Sequence, residues 1–188
     1  MLSCSKLTCI NKLEKNSNGS IIPYEYVIKP KLILVSTDLA IASTILHEII
    51  HAHFLAMIDD CNQNGSCQNL QSFPDLWNFY VAYKNGGVFT NGIAQHNQMA
   101  NSFVNIMASA LQEYMTNVPL MVGQTPNQDF IDVAWYGLEG TIPYNALSQT
   151  DKDRIQFRFN NVELLNQSDV NANGLTITPI GNRVFPCN

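Results

Sequence analysis

Charge is the scarcest property of this 188-residue chain. Only 13% of its residues are charged, about half the share of an ordinary globular protein (~25%). Ten Lys and Arg stand against fifteen Asp and Glu, a net charge of −5. Duplex nucleic acid is therefore not expected as a direct partner, because phosphate binding needs clustered cations. No apolar run reaches the roughly 18–20 residues that a membrane span needs. The first residues, Met1-Leu2-Ser3-Cys4-Ser5-Lys6, carry no apolar signal core. Repeats, heptads and low-complexity blocks are also missing. Of the five cysteines only Cys4 and Cys9 stand at C-x4-C spacing, and no second such pair completes a four-ligand set, so a cysteine-built structural zinc site is not indicated.

What remains is enough for one domain over residues 1–188, with 46% hydrophobic residues and a core of ordinary size. Residues 1–20 read as an N-terminal extension and 167–188 as a tail. The sequence predicts strands in Tyr24–Val35, broken at Pro30. A helix capped at Ser36, Thr37 or Asp38 follows and runs to about Met57. A polar loop is expected over 59–73, then a helix from Pro74 to about Lys84, stopped by Asn85-Gly86-Gly87. The next helix opens at His96 and continues through Tyr114, with Ala100, Phe103, Met107, Ala110 and Tyr114 on the face of His96. Thr125-Pro126 starts another, ending at Gly137. Thr150 caps a last one running to about Asn166, and a strand is possible at Leu175–Ile180. The expected class is α+β, dominated by helix, with a small sheet.

The most informative segment is His47-Glu48-Ile49-Ile50-His51. Two histidines four apart on a helix share a face, so both imidazoles can reach one metal ion. Glu48 points about 100° round the helix. That is where a general base for a zinc-bound water would sit. The flanks Thr44, Ile45, Leu46, Ile49, Ile50 and Ala52 are uncharged, as a helix buried beneath a cleft requires.

A catalytic zinc site needs a third protein ligand. His53 lies roughly 200° from His51 and faces away. Asp59, Asp60 and Glu113 are acidic alternatives, and His96 is the only other histidine. His96 is favoured over Glu113 because it needs no charge buried mid-helix and is expected at an element end. Tyr83, Tyr114 and Tyr136 are candidates for a second oxyanion donor, but each is read first as a core or rim aromatic, and none is assigned the role.

The run Ser43–Ala52, with its HEIIHA core, resembles the SprT-like zincin metallopeptidases. Gln95–Val104 (QHNQMANSFV), Ala110-Leu111-Gln112-Glu113-Tyr114 and Trp135–Thr141 are similar to segments of a secreted or surface-associated bacterial group of that class. The resemblance spans about residues 30–165. It implies a zincin fold, Zn2+ as cofactor, His47, His51 and His96 as ligands, Glu48 as catalytic base and a peptide or protein substrate. In better-known SprT-like enzymes the third histidine follows sooner, between glycines. Here 45 residues separate His51 from His96 (96 − 51).

Two other readings compete with a peptidase. One is a non-catalytic zinc-binding or protein-binding module that retains the fold; the other is hydrolysis of a non-peptide bond. Cys61 and Cys67 flank the turn-rich Asn62–Ser66 and could close it with a disulfide. With the resemblance, this favours an extracytoplasmic location.

Overall fold

Thr37 starts the first helix as its sequence promises. Its backbone is extended and its side chain accepts from the Ala40 amide, one of the amides that a helix start leaves without a partner. In the computed structural model the described residues are 36–65, 67–85 and 91–182, without the side chains of Tyr83, Asn91 and Gly92. The strands expected in Tyr24–Val35, the Gly86-Gly87 stop, and Cys4, Cys9 and Cys187 lie outside them.

Helix α1, Asp38–Asn64, ends at Gly65 in the left-handed region, where glycine carries no Cβ penalty. It runs past the expected end at Met57. Ile58 and Cys61 extend the buried stripe of Phe54, so the polar residues of 59–64 decorate a helix rather than a loop. Short α2, Gln68–Gln71, follows, and a Cys61–Cys67 disulfide joins it to the end of α1. Helix α3 is Pro74–Lys84, as expected.

The helix expected to open at His96 is two helices. Helix α4 is Asn91–Ser102 and α5 is Val104–Thr116, so His96 sits in mid-helix. Phe103, with φ −119° and ψ −12°, marks the break while its ring turns onto Phe54 and Phe73. The break re-phases the buried face. Val104, Met107, Ala108 and Leu111 are buried, whereas Ala110 and Tyr114, expected on the face of His96, are exposed.

Asn127, not Thr125, caps α6, Gln128–Ala134, which stops short of Gly137. Thr141 caps α7, Ile142–Asn145. Ser148, not Thr150, caps α8, Gln149–Gln156, which runs into a π-helical segment, Phe157–Glu163. The short strands β1, Asp169–Val170, and β2, Thr176–Ile177, pair antiparallel, Asp169 opposite Ile177. The described fold is thus helix-dominated with a two-stranded sheet, an α+β arrangement.

Helix α1 packs on α4, α5, α6 and the π-helical segment. It is also the described helix long and apolar enough, by length and composition, to cross a bilayer. Its N-terminus is locked from a distance. The fully buried Glu163 carboxylate accepts from Thr37 Oγ1 at 2.7 Å and from the Ile180 amide at 2.7 Å. Asp38 exchanges hydrogen bonds with Asn182. The uncharged flanks of the motif divide: Ile50 is buried, but Ile45 and Ile49 are 43% and 56% exposed. Those two positions face solvent rather than the interior that the sequence suggested.

Candidate metal centre

The four-residue spacing on α1 places His47 and His51 one above the other, each only 7% exposed. Helix α4 brings His96 to them. The three Nε2 atoms form a nearly equilateral triangle: 3.0 Å from His47 to His51, 3.0 Å from His51 to His96 and 3.2 Å from His47 to His96. The ring centroids are farther apart, 4.7–5.1 Å, with ring planes tilted by 57–63°. The rings therefore splay outward from their Nε2 atoms, and those nitrogens are the innermost atoms of the cluster.

Hydrogen bonding does not account for this arrangement. A neutral imidazole has one N–H, directed along one line, and one lone pair. Three nitrogens each close to both others cannot be joined by three such bonds. The donor set does fit a metal ion. A tetrahedral ion with nitrogens at 2.0–2.1 Å holds them roughly 3.3 Å apart, within a few tenths of an ångström of the distances here. His47, His51 and His96 could together hold such an ion.

Electrostatics favours the same state. Burial is the main cause that drives the His47 pKa down to about 3, helped by charge repulsion from His51 and His96. Burial, then His51, lowers that of His96 to about 4. Both are neutral at pH 7, the form a metal requires. Glu48 is half-buried. Desolvation raises its pKa above the usual carboxylate value, while His51 pulls it partly back. Among the described residues no hydrogen bond or ion pair occupies its carboxylate.

Helix α4 supplies four consecutive buried or half-buried polar side chains that point in different directions. Gln95 Oε1 lies 2.5 Å from His51 Nδ1. His96 joins the triangle. Asn97 Oδ1 accepts from the Ile142 amide at 2.9 Å, and Gln98 Oε1 from the Asp75 amide at 3.0 Å. Successive helical residues are 100° apart, so this run ties α4 to α1, α7 and α3 at once. On the far side, Gly137 backs His47. Its φ is +79°, and a Cβ there would lie 3.0 Å from His47 Cε1. His47 Nδ1 faces this backbone. The Tyr136 main chain raises the His47 pKa slightly, yet the buried Nδ1 has no well-formed hydrogen bond.

The remaining candidates are not gathered here. His53 and Asp60 are exposed, Asp59 is half-buried, and Glu113 is exposed on α5. The His53 ring lies near Phe54 and Phe73, and Asp60 accepts from Asn64. Tyr136 stacks on Phe159 at 3.6 Å, Tyr114 is 53% exposed, and the Tyr83 side chain lies outside the described set. Gln95, Asn97 and Gly137 were not singled out from sequence. Their roles arise from contacts between distant elements, and the only advance signal was a run of polar residues beside a candidate ligand.

No family model, curated protein or solved structure matches the chain. Function is therefore argued from the site itself.

Proposed function

We propose that this chain is a zinc-dependent metallopeptidase with a zincin-like domain, similar to the SprT-like enzymes. His47, His51 and His96 would be the zinc ligands and Glu48 the general base. The observation that carries this reading is the convergence of three Nε2 atoms at 3.0–3.2 Å, with Glu48 next to the first of them in sequence. Zinc, when bound, supplies polarisation of a substrate carbonyl and acidification of a water.

The chain's own groups do the rest. Burial keeps the His47 and His96 nitrogens unprotonated at neutral pH, ready to donate lone pairs. The Glu48 carboxylate accepts a proton from the attacking water as its oxygen bonds to the scissile carbonyl carbon. It then returns that proton to the leaving nitrogen as the C–N bond breaks. Three protein nitrogens leave a tetrahedral ion one further position, as catalytic zinc sites do.

The test compares wild type with Glu48→Gln on a broad peptide library, with zinc quantified in both. The expected result is unchanged zinc and cleavage reduced by about 10²- to 10⁴-fold. Unchanged cleavage by Glu48→Gln contradicts the general base. Zinc-loaded wild type that cleaves no peptide supports the non-catalytic binding module instead.

A further inference from the structure

We propose that Gln95 is a positioning residue for this centre. By accepting a hydrogen bond from His51 Nδ1–H, it keeps His51 Nε2 unprotonated and aimed into the cluster. The inference rests on the metal-binding part of the reading above and is independent of peptide cleavage.

The contact is short, 2.5 Å from Gln95 Oε1 to His51 Nδ1, and both residues are buried, at 4% and 7% exposure. A neutral imidazole carries its proton on one nitrogen only, and the partner of one nitrogen decides the state of the other. With the amide oxygen facing Nδ1, Nδ1 is the donor and the Nε2 lone pair is free. If the Gln95 NH2 group faced Nδ1, Nδ1 would accept and Nε2 would bear the hydrogen. That hydrogen would project between two other Nε2 atoms, 3.0 Å away on each side. Oxygen towards His51 is thus the arrangement compatible with a metal ion.

Gln95 is also adjacent to His96, so α4 delivers one ligand and the group that orients another. Movement of α4 relative to α1 would disturb both together. The two α1 histidines differ in this respect. His51 Nδ1 is anchored by Gln95, whereas His47 Nδ1 lacks a well-formed partner and is held by packing against Gly137. A neutral amide performs the orienting role that carboxylates and carbonyls usually play for metal-bound histidines.

The full chain is tested in three forms: wild type, Gln95→Leu and Gln95→Glu. Long-range 15N–1H spectra of the metal-free protein at pH 8 read the tautomer of each histidine. Chelator competition reads the zinc Kd. In wild type the His51 proton is expected on Nδ1. In Gln95→Leu it should move towards Nε2, with His47 unchanged, and zinc binding should weaken by about 10- to 100-fold. Gln95→Glu keeps an acceptor at the position and should restore both the tautomer and near wild-type affinity.

A wild-type His51 protonated on Nε2 overturns the proposal, even where Gln95→Leu fails to fold. So does a folded Gln95→Leu with wild-type Kd and tautomer. Loss of zinc binding in Gln95→Glu equal to that in Gln95→Leu also overturns it. Zinc binding as expected with no peptide cleavage would sink the peptidase reading and leave this one standing. Wild type that binds no zinc would sink the metal reading, while the tautomer spectra would still decide the Gln95–His51 contact.

Discussion

His47 and His96 are held as free bases chiefly by burial, and that has a consequence for pH. In the metal-free protein the unfolded chain protonates these residues as pH falls through about 6.5. The folded chain resists until about 4 at His96 and about 3 at His47. Between those limits the unfolded state binds more protons, so stability declines as pH drops from about 6.5 towards 4. Urea midpoints of chelator-treated protein between pH 7.5 and 4.5 should show this decline, and a His47→Gln variant should show less of it; a flat profile would contradict it. Glu48 has the opposite displacement. Burial raises its pKa in the metal-free chain; as the proposed base it must be ionised, so hydrolysis should be lost on acidification as Glu48 takes up a proton, as read from the acid limb of the rate profile. Gly137→Ala places a methyl group 3.0 Å from His47 Cε1 at φ +79°. It should destabilise the fold by about 1–2 kcal/mol and weaken zinc binding, checked by urea titration and chelator competition. At this scale His47, Glu48 and His51 were legible because their chemistry depends on local spacing. His96 was legible only as the remaining histidine. Gln95 and Gly137 were not, because each acts across 44 residues or more of chain.

Helix α1 carries two of the proposed ligands, so whatever fixes its start fixes the site. Thr37 Oγ1 accepts from the Ala40 amide and donates to Glu163. Thr37→Ala should therefore cost about 1–2 kcal/mol, with Thr37→Ser closer to wild type; equal urea midpoints for all three forms would contradict the lock. A Cβ on Gly181 would lie 2.6 Å from Thr37 Cβ, so the same lock leaves no room there for a side chain. Sequence periodicity found α1 and α3, whose caps and first turns are local signals. It missed the break between α4 and α5, because Phe103 has ordinary helical neighbours and departs from helix where its ring meets Phe54 and Phe73. The caps at Asn127 and Ser148, in place of Thr125 and Thr150, are displacements of two residues (127 − 125; 150 − 148) among several equivalent polar side chains.

Across the whole molecule, distant parts of the chain meet around α1: α4 through His96 and Gln95, the Tyr136–Gly137 turn, and residues 180–182 beside Glu163. The α+β class was readable from composition and pattern, but these meetings were not, since nothing local encodes them. The Cys61–Cys67 bridge closes a short loop at the far end of α1 and should contribute about 2 kcal/mol. Denatured, unreduced protein should show no more than three free thiols from its five cysteines; five would contradict the bridge. The central claim is that one ion is shared by α1 and α4, and it is tested most directly by zinc stoichiometry in wild type, His96→Ala and Glu113→Ala. The account predicts one zinc per chain in wild type and in Glu113→Ala, and its loss in His96→Ala. Full zinc in His96→Ala with loss in Glu113→Ala would contradict it.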